Sequence, residues 1–257
     1  MTRDEIIKNL PEHMRSLYLT GEYYVSVPPG RTPDFEEAYW CTVTDPDGRV
    51  RNRLEERDQF LADIDYAVAF LKTLPPGRIL DVGCGLGWLL DALPASWEKH
   101  GLEVSRVAAD FAGKFGKIFH GTLHESPYED NFFDVIFMHQ VIEHVDKPEE
   151  DIKVLRRILK SGGVLILGTP DFDSGAARRF RGNYRLLHDQ SHIRLFSNES
   201  MHRFLRDHGF HIFRTEYPFF ETRLFTSENL QRLFDRSQIS PPFYGNFMTF
   251  FCEKRKD

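Results

Sequence analysis

The segment RILDVGCGLGWLLDAL, residues 78–93, constrains this chain more than any other stretch. A strand-like run ends at Asp81 and Val82, three glycines alternate with Cys84 and Leu86, and an apolar helical segment follows. Glycine at 83, 85 and 87 permits positive φ and removes the Cβ atoms that would collide with a bound group. The loop therefore brings bare backbone to the carboxyl end of a strand, where a nucleotide-like group can lie flat. The dinucleotide pattern Gly-x-Gly-x-x-Gly wants its third glycine at position 88, which is Trp88. Pyrophosphate binding loses ground accordingly.

Strand and helix patterns alternate from here on, as in a mostly parallel sheet with helices on both faces. The predicted strands are 78–82, 100–104, 117–121, 133–138, 163–169, Phe210–Pro218 and 246–254, and their dense apolar runs suit strands covered on both sides. One helix is predicted over Leu54–Leu71. Another is capped by Asp146, with Pro148 in its first turn, Glu149, Glu150 and Asp151 at the positive end of its dipole, Arg156, Arg157 and Lys160 at the other, and a stop at Gly162 and Gly163. Helices are also expected near Asn198–His208 and Ser227–Asp235. Residues 171–197 read as an irregular, arginine-rich insertion. Residues 1–74 read as an amino-terminal cover, with turn signals at PPGR and DPDGR and with Tyr18, Tyr23, Tyr24, Phe35, Tyr39 and Trp40.

The pattern D-x-G-x-G-x-G after a strand resembles motif I of class I S-adenosylmethionine-dependent methyltransferases. The resemblance continues in GLEVS, where Glu103 stands sixteen residues after Gly87, in GTLHESPYEDNFFDVIFMHQVIEHV (121–145), in VLRRILKSGGVLILGTPD (154–171) and in SHIRLFSNESMHRFLRDHGF (191–210). It covers roughly residues 75–255, within an expected domain of residues 75–257. It implies a Rossmann-like α/β fold, with a seven-stranded, mostly parallel sheet whose last strand is antiparallel. It also implies S-adenosylmethionine as cofactor, bound by Asp81, Gly83, Cys84, Gly85, Gly87, Glu103, Val104, Thr122, Leu123, Met138 and His139, with the Glu103 carboxylate accepting the ribose hydroxyls. Cys84 reads as a small loop filler and not a nucleophile, since no basic neighbour in sequence lowers its pKa.

Transfer to a hydroxyl requires a base, and the candidates are histidines near the carboxyl ends of the strands. His139 stands first, then His144 and His192. Some ubiquinone-type O-methyltransferases hold a divalent metal on two glutamates and the histidine of the Glu-His-Val region. Gln140 stands where the first glutamate is expected, and a neutral amide is a poorer ligand for a hard cation, so no metal is predicted. Between residues 174 and 196, Arg178, Arg179, Arg181, Arg185 and Arg194 are opposed only by Asp189. Arg178, Arg181 and Arg185 are the candidate grip on an anionic acceptor such as a nucleotide-linked sugar, a lipid-linked glycan or a carboxylated precursor. A solvated charged loop is the competing reading of the same residues.

Composition narrows the partners. With 33 basic against 39 acidic side chains and a net charge of -6, a nucleic-acid substrate is disfavoured, as is an anionic membrane surface. The Asn/Asp-Pro-Pro-aromatic signature of nucleic-acid methyltransferases is also missing after the fourth strand. Cys41, Cys84 and Cys252 form no ligand spacing and suit reduced thiols in a cytoplasm. No apolar run approaches the ~18 residues of a membrane span. The expected function is methyl transfer to a small acceptor, most simply a hydroxyl of a sugar or glycan. A quinone precursor, N-methylation, or cofactor binding without transfer are the alternatives, and the aromatic amino-terminal section suits cofactor contact, core packing or a homodimer surface alike.

Overall fold

The computed structural model describes residues 1–30, 37–44, 48, 50–217, 224–242 and 246–255, with no side-chain description at 37 and 38. Phe35, Pro218 and the DPDGR turn apart from Gly48 lie outside them.

Seven strands form one sheet: β1 (Arg78–Val82), β2 (Glu98–Glu103), β3 (Lys117–His120), β4 (Phe133–His139), β5 (Leu159–Pro170), β6 (Phe210–Glu216) and β7 (Phe247–Lys254). Their order is β3-β2-β1-β4-β5-β7-β6. Only β7 runs against its neighbours, pairing antiparallel with both β5 and β6. This is the Rossmann-like arrangement that the alternation predicts, and it brings the ends of β1, β2 and β4 side by side. In the register, Asp81 lies opposite both Gly101 and Phe137, and His139 lies opposite Gly168.

Both faces of the sheet are covered, so successive residues enter different apolar layers. Leu80, Val82, Ile136, Met138, Leu165 and Leu167 pack in one layer, against Ile152 and Leu155 of one helix and Met201 and Phe204 of another. Ile79, Val135, Phe137 and Ile166 pack in the other, with Ile64, Leu71 and Leu89.

Several boundaries differ from the sequence reading. The Leu54–Leu71 helix is a short 3-10 turn followed by two helices, Arg57–Asp63 and Asp65–Leu71, broken at Ile64. Asp146 does not cap the Pro148–Ile158 helix, whose N-cap is Lys147 without a side-chain bond. The Asp146 carboxylate is held instead by Arg194 at 3.0 Å. Gly162 and Gly163 lie inside β5 and do not stop the helix, because Leu159 already pairs with Phe133. Sheet pairing overrides the local stop signal.

The insertion is not irregular. It contains a helix at Gly175–Phe180, two 3-10 turns and a strand, Arg194–Phe196, which pairs antiparallel with Tyr24–Ser26. Two amino-terminal helices, α1 (Arg3–Lys8) and α2 (Leu10–Thr20), complete this unit. Ile6, Leu10, Met14 and Leu17 share a separate apolar core with Phe172, Phe180, Tyr184 and Leu195. Each fully buried side chain of this size contributes roughly 1.5–3 kcal/mol. The amino terminus and the insertion are therefore one structure made from two distant pieces of chain.

Candidate functional site

The glycine loop leaves β1 under tight backbone control. The N–H groups of Gly83 and Cys84 both donate to the Leu102 carbonyl, at 2.8 and 3.0 Å, and the Gly87 N–H donates to the Cys84 carbonyl at 2.8 Å. Gly85 has φ +52 and Gly87 φ +76. A Cβ on Gly87 would come within 2.9 Å of the Ala112 Cβ, whereas one on Gly85 would come 3.3 Å from the Trp40 ring. The Gly87 position thus serves packing of the loop on the next helix, and the missing side chain at Gly85 lets the Trp40 ring lie close to the loop backbone.

Glu103 is buried at the end of β2, and both its oxygens are engaged by backbone donors: Gly85 N–H to Oε2 at 2.8 Å and Ser105 N–H to Oε1 at 2.9 Å. A carboxylate has about four lone-pair sites, so two remain for a diol. Burial raises the Glu103 pKa, opposed by the backbone N–H groups of Ser105, Gly85 and Val104. Asp81 is pushed well above the ordinary carboxylate range by burial, with the charge of Glu103 adding to the shift. Two neighbouring buried carboxylates, destabilised in their charged forms, suit a cationic ligand with hydroxyls. S-Adenosylmethionine is such a group, and the residues present fit it.

The other expected cofactor contacts divide. Val104 leaves its side chain half exposed beside Glu103. Thr122 is tied to Glu125, which accepts its N–H at 2.8 Å and its hydroxyl at 2.7 Å. Met138 and Leu123 bury their side chains in a core layer. Cys84 is a filler against Gly101, and burial raises its thiol pKa.

Among the amino-terminal aromatics, for which cofactor contact was one expectation beside core packing and a homodimer surface, Tyr18, Tyr23 and Tyr24 donate their hydroxyls to Asp173, Asp207 and Glu149. Trp40 is the amino-terminal aromatic that reaches the glycine loop, with the Tyr39 ring packed edge-on beside it at 5.1 Å between centroids. Trp40 is buried over Gly85, and its Nε1–H donates to the Ser105 hydroxyl at 2.9 Å. The Arg53 guanidinium lies 4.2 Å from the Tyr39 ring centroid. Burial raises the Tyr39 pKa, and its hydroxyl feels both Glu103 and Asp189. The signal available in sequence was only the aromatic pair itself, without periodicity to aim it.

A second centre forms after β4. Glu143 and His144 lie in a short 3-10 turn, Ile142–His144. The Ile193 N–H donates to the Glu143 carbonyl at 2.9 Å, which stitches the insertion to that turn and places His192 beside it. The His144 and His192 rings are 4.8 Å apart at their centroids. Ligand atoms of Glu143, His144 and His192 all lie within 4.8 Å of one another. Glu143 is fully buried; its Oε2 accepts from the Thr169 hydroxyl at 3.0 Å, and its Oε1 has no hydrogen-bond partner. Burial raises its pKa.

Both imidazoles are oriented by backbone. His144 Nδ1 faces the Ser191 carbonyl at 3.1 Å and His192 Nδ1 the Leu186 carbonyl at 2.6 Å. A carbonyl only accepts, so in the neutral rings Nδ1 carries the proton and Nε2 presents a lone pair.

His139, first in rank from sequence, is set apart from this trio. Its ring stacks on Phe137 with an interplanar angle of 12° and lies so close to Gly168 that a Cβ there would clash. Burial pushes its pKa down to about 4, which makes it a weak base at neutral pH. Gln140 holds a positive φ of 57 and buries an amide nitrogen with no partner. The three candidate arginines are dispersed. Arg178 forms a two-pronged pair with Asp173, at 2.8 and 2.7 Å. Arg181 is exposed in a groove shared with Asp4 and Lys8 of α1. Arg185 is half-buried, and its backbone N–H donates to Ser240.

A family profile described as a methyltransferase domain matches residues 53–215. An S-adenosylmethionine-dependent methyltransferase of Thermotoga maritima, described as a possible histamine N-methyltransferase, is 30% identical, with 79% of this chain and 92% of that one covered and a TM-score of 0.57. The chain belongs to the S-adenosylmethionine-dependent methyltransferases. A ubiquinone biosynthesis O-methyltransferase of Roseobacter denitrificans is 30% identical over 119 residues, 43% of this chain and 48% of that protein. This methyltransferase spans about half or less of the curated relatives it matches first. The [4+2]-cyclase SpnF shares its fold over 99% of this chain and 95% of that one, at 20% identity and a TM-score of 0.57. Among the described residues no helix is long and apolar enough to cross a membrane.

Proposed function

We propose that the protein transfers the methyl group of S-adenosylmethionine to a hydroxyl of a small acceptor. The carrying observation is the convergence of Glu143, His144 and His192 after β4, with a buried Glu143 oxygen that has no hydrogen-bond partner, on the same edge of the sheet as the glycine loop. A hydroxyl must lose its proton as the new bond forms, and the Glu143 carboxylate with the His144 Nε2 can orient and receive it, while His192, whose pKa burial pushes down to about 4, presents a lone pair but is a weak base. An amine acceptor needs no such group if it arrives as the free base.

The bound cofactor supplies an electrophilic sulfonium methyl group. Gly85 admits the adenosyl moiety against bare backbone, Glu103 accepts the ribose hydroxyls, and Asp81 offsets the positive charge nearby. Val104 offers an apolar edge to the base. Tyr39 and Trp40 cover the loop and exclude water. Residues 1–74 act with the 171–197 insertion as the acceptor-side cover of a domain spanning 75–257, and three free cysteines suit a reducing cytoplasm.

The arginine pairings favour a neutral acceptor such as a sugar or phenol over an anionic one, since Arg178 and Arg194 already hold carboxylates. The test is release of S-adenosylhomocysteine with nucleotide sugars, phenolic quinone precursors, amines and small carboxylates, followed by mass spectrometry of the product. An O-methyl ether is expected. An N-methyl product, or no turnover with any class, would overturn the reading; the latter would favour a fold kept for another use, as in the [4+2]-cyclase SpnF.

The Trp40 assignment gives its own expected result. S-Adenosylhomocysteine should change the intrinsic fluorescence of the wild type, and Trp40→Phe should abolish most of that change while Trp88 and Trp97 remain. Trp40→Ala should weaken binding about tenfold, roughly 1.4 kcal/mol. Calorimetry that finds equal affinity would place Trp40 outside the cofactor cover.

A further inference from the structure

We infer that Glu143, His144 and His192 form a binding site for one divalent transition-metal ion, with His192 of the insertion as its third protein ligand. The inference rests on the proposed acceptor site and deepens it: with an ion bound, the three groups would act through it, by lowering the pKa of a hydroxyl it holds, instead of receiving the proton themselves. It also departs from the sequence expectation of no metal, which followed from Gln140.

Four observations carry it. The Glu143 Oε1 atom is wholly buried and has no partner, a costly state for a carboxylate that a bound cation would relieve. Both histidines anchor Nδ1 on a backbone carbonyl, at Ser191 and Leu186, the outer contact that fixes ligand orientation in metal sites. His144 Nε2 already lies 3.9 Å from Glu143 Oε1, and the three ligand atoms fall within 4.8 Å of one another. Bonds of about 2.0–2.2 Å place tetrahedral ligand atoms roughly 3.4 Å apart, so the widest pair of the trio must close by up to about 1.4 Å. Finally, Asp189 Oδ2 sits 3.8 Å from His192 Nε2 and adds negative charge at the same place.

The donor set predicts the metal. Two imidazoles and one carboxylate suit zinc, iron, cobalt or manganese, whereas magnesium prefers an oxygen shell and keeps its waters. Three protein ligands also leave coordination positions open, as catalytic sites do. The site spans two separate parts of the chain, and Arg3 of α1 donates to the His192 carbonyl at 2.9 Å. Metal occupancy would therefore pin the acceptor-side cover to the β4 turn.

The test uses the full-length protein stripped with a chelator and titrated with Zn2+, Co2+, Mn2+ and Mg2+ by calorimetry, with the visible absorption of Co2+ as an independent readout on the wild type. One equivalent of Zn2+ or Co2+ is expected, with Mg2+ at least on the order of a hundredfold weaker. His192→Ala and Glu143→Gln should each lower Zn2+ affinity on the order of a hundredfold. The exposed His188, substituted by alanine, should leave binding unchanged. S-Adenosylhomocysteine affinity, measured on each variant, reports a folded protein and separates failure of this site from failure of the methyltransferase reading. No stoichiometric binding, imidazole-free cobalt spectra, or a His192→Ala variant that binds Zn2+ like the wild type would each overturn the inference.

Discussion

Glu103→Ala is expected to weaken S-adenosylmethionine binding at least a hundredfold, about 2.7 kcal/mol. Two losses add. The variant removes the acceptors for the ribose hydroxyls, and hydrogen bonds to a charged group contribute roughly 1.5–3 kcal/mol. It also releases the N–H groups of Gly85 and Ser105, at 2.8 and 2.9 Å from the carboxylate, which shape the loop before any ligand arrives. Glu103→Gln should recover little, because its amide nitrogen would face one of these two backbone donors. Glu125→Ala, in an exposed capping position, should bind normally. Calorimetry of all three variants decides the matter, and an affinity for Glu103→Ala within threefold of the wild type would remove Glu103 from the site.

The same carboxylates set a pH dependence. Burial raises the pKa of both Asp81 and Glu103, so acidification protonates them earlier than ordinary acids. The neutral forms no longer attract a sulfonium. Cofactor affinity should fall as pH drops, beginning above the ordinary carboxylate range. For the ligand-free protein the sign is opposite: a raised carboxylate pKa lowers stability as pH rises through it.

Arg3→Ala should lower folding stability by about 2–3 kcal/mol, on the scale of one or two hydrogen bonds to a charged group. Its guanidinium reaches four backbone carbonyls: His192 and Asp189 at 2.9 Å, and Leu187 and Pro28 at 3.3 Å. No other single side chain described here joins α1 to so many points of the insertion. For a chain of this size the loss corresponds to a Tm decrease of roughly 5–10 °C. Arg3→Lys should restore less than half, since one ammonium cannot span the same fork. Limited proteolysis should find new cleavage between residues 181 and 192. An unchanged Tm would mean that the shared apolar core holds the cover without this clamp.

The glycine loop, the strands around it and Glu103 were legible because each is a local pattern. A strand, a turn and a carboxylate at the end of the next strand lie within 26 residues, from Arg78 to Glu103, and backbone geometry alone brings them together. The antiparallel β7 and the family resemblance extended that reading across the sheet. Local rules failed where long-range pairing won: Leu159 enters the sheet before the glycines meant to stop its helix. Arginines that looked unopposed in one stretch were balanced from outside it, Arg178 by Asp173 and Arg194 by Asp146.

Sequence by itself determined where the chain leaves bare backbone at the end of a strand, since the absence of side chains at 83, 85 and 87 is a property of the residues themselves. Only the tertiary structure decided which groups gather at that edge of the sheet. His192 reaches Glu143 through a backbone bond between residues 50 apart, and Trp40 reaches Gly85 from an amino-terminal helix. No periodicity or spacing encodes such contacts, because they depend on the shared burial of apolar surfaces from distant segments. The same burial that assembles the trio leaves the Glu143 oxygen without a partner.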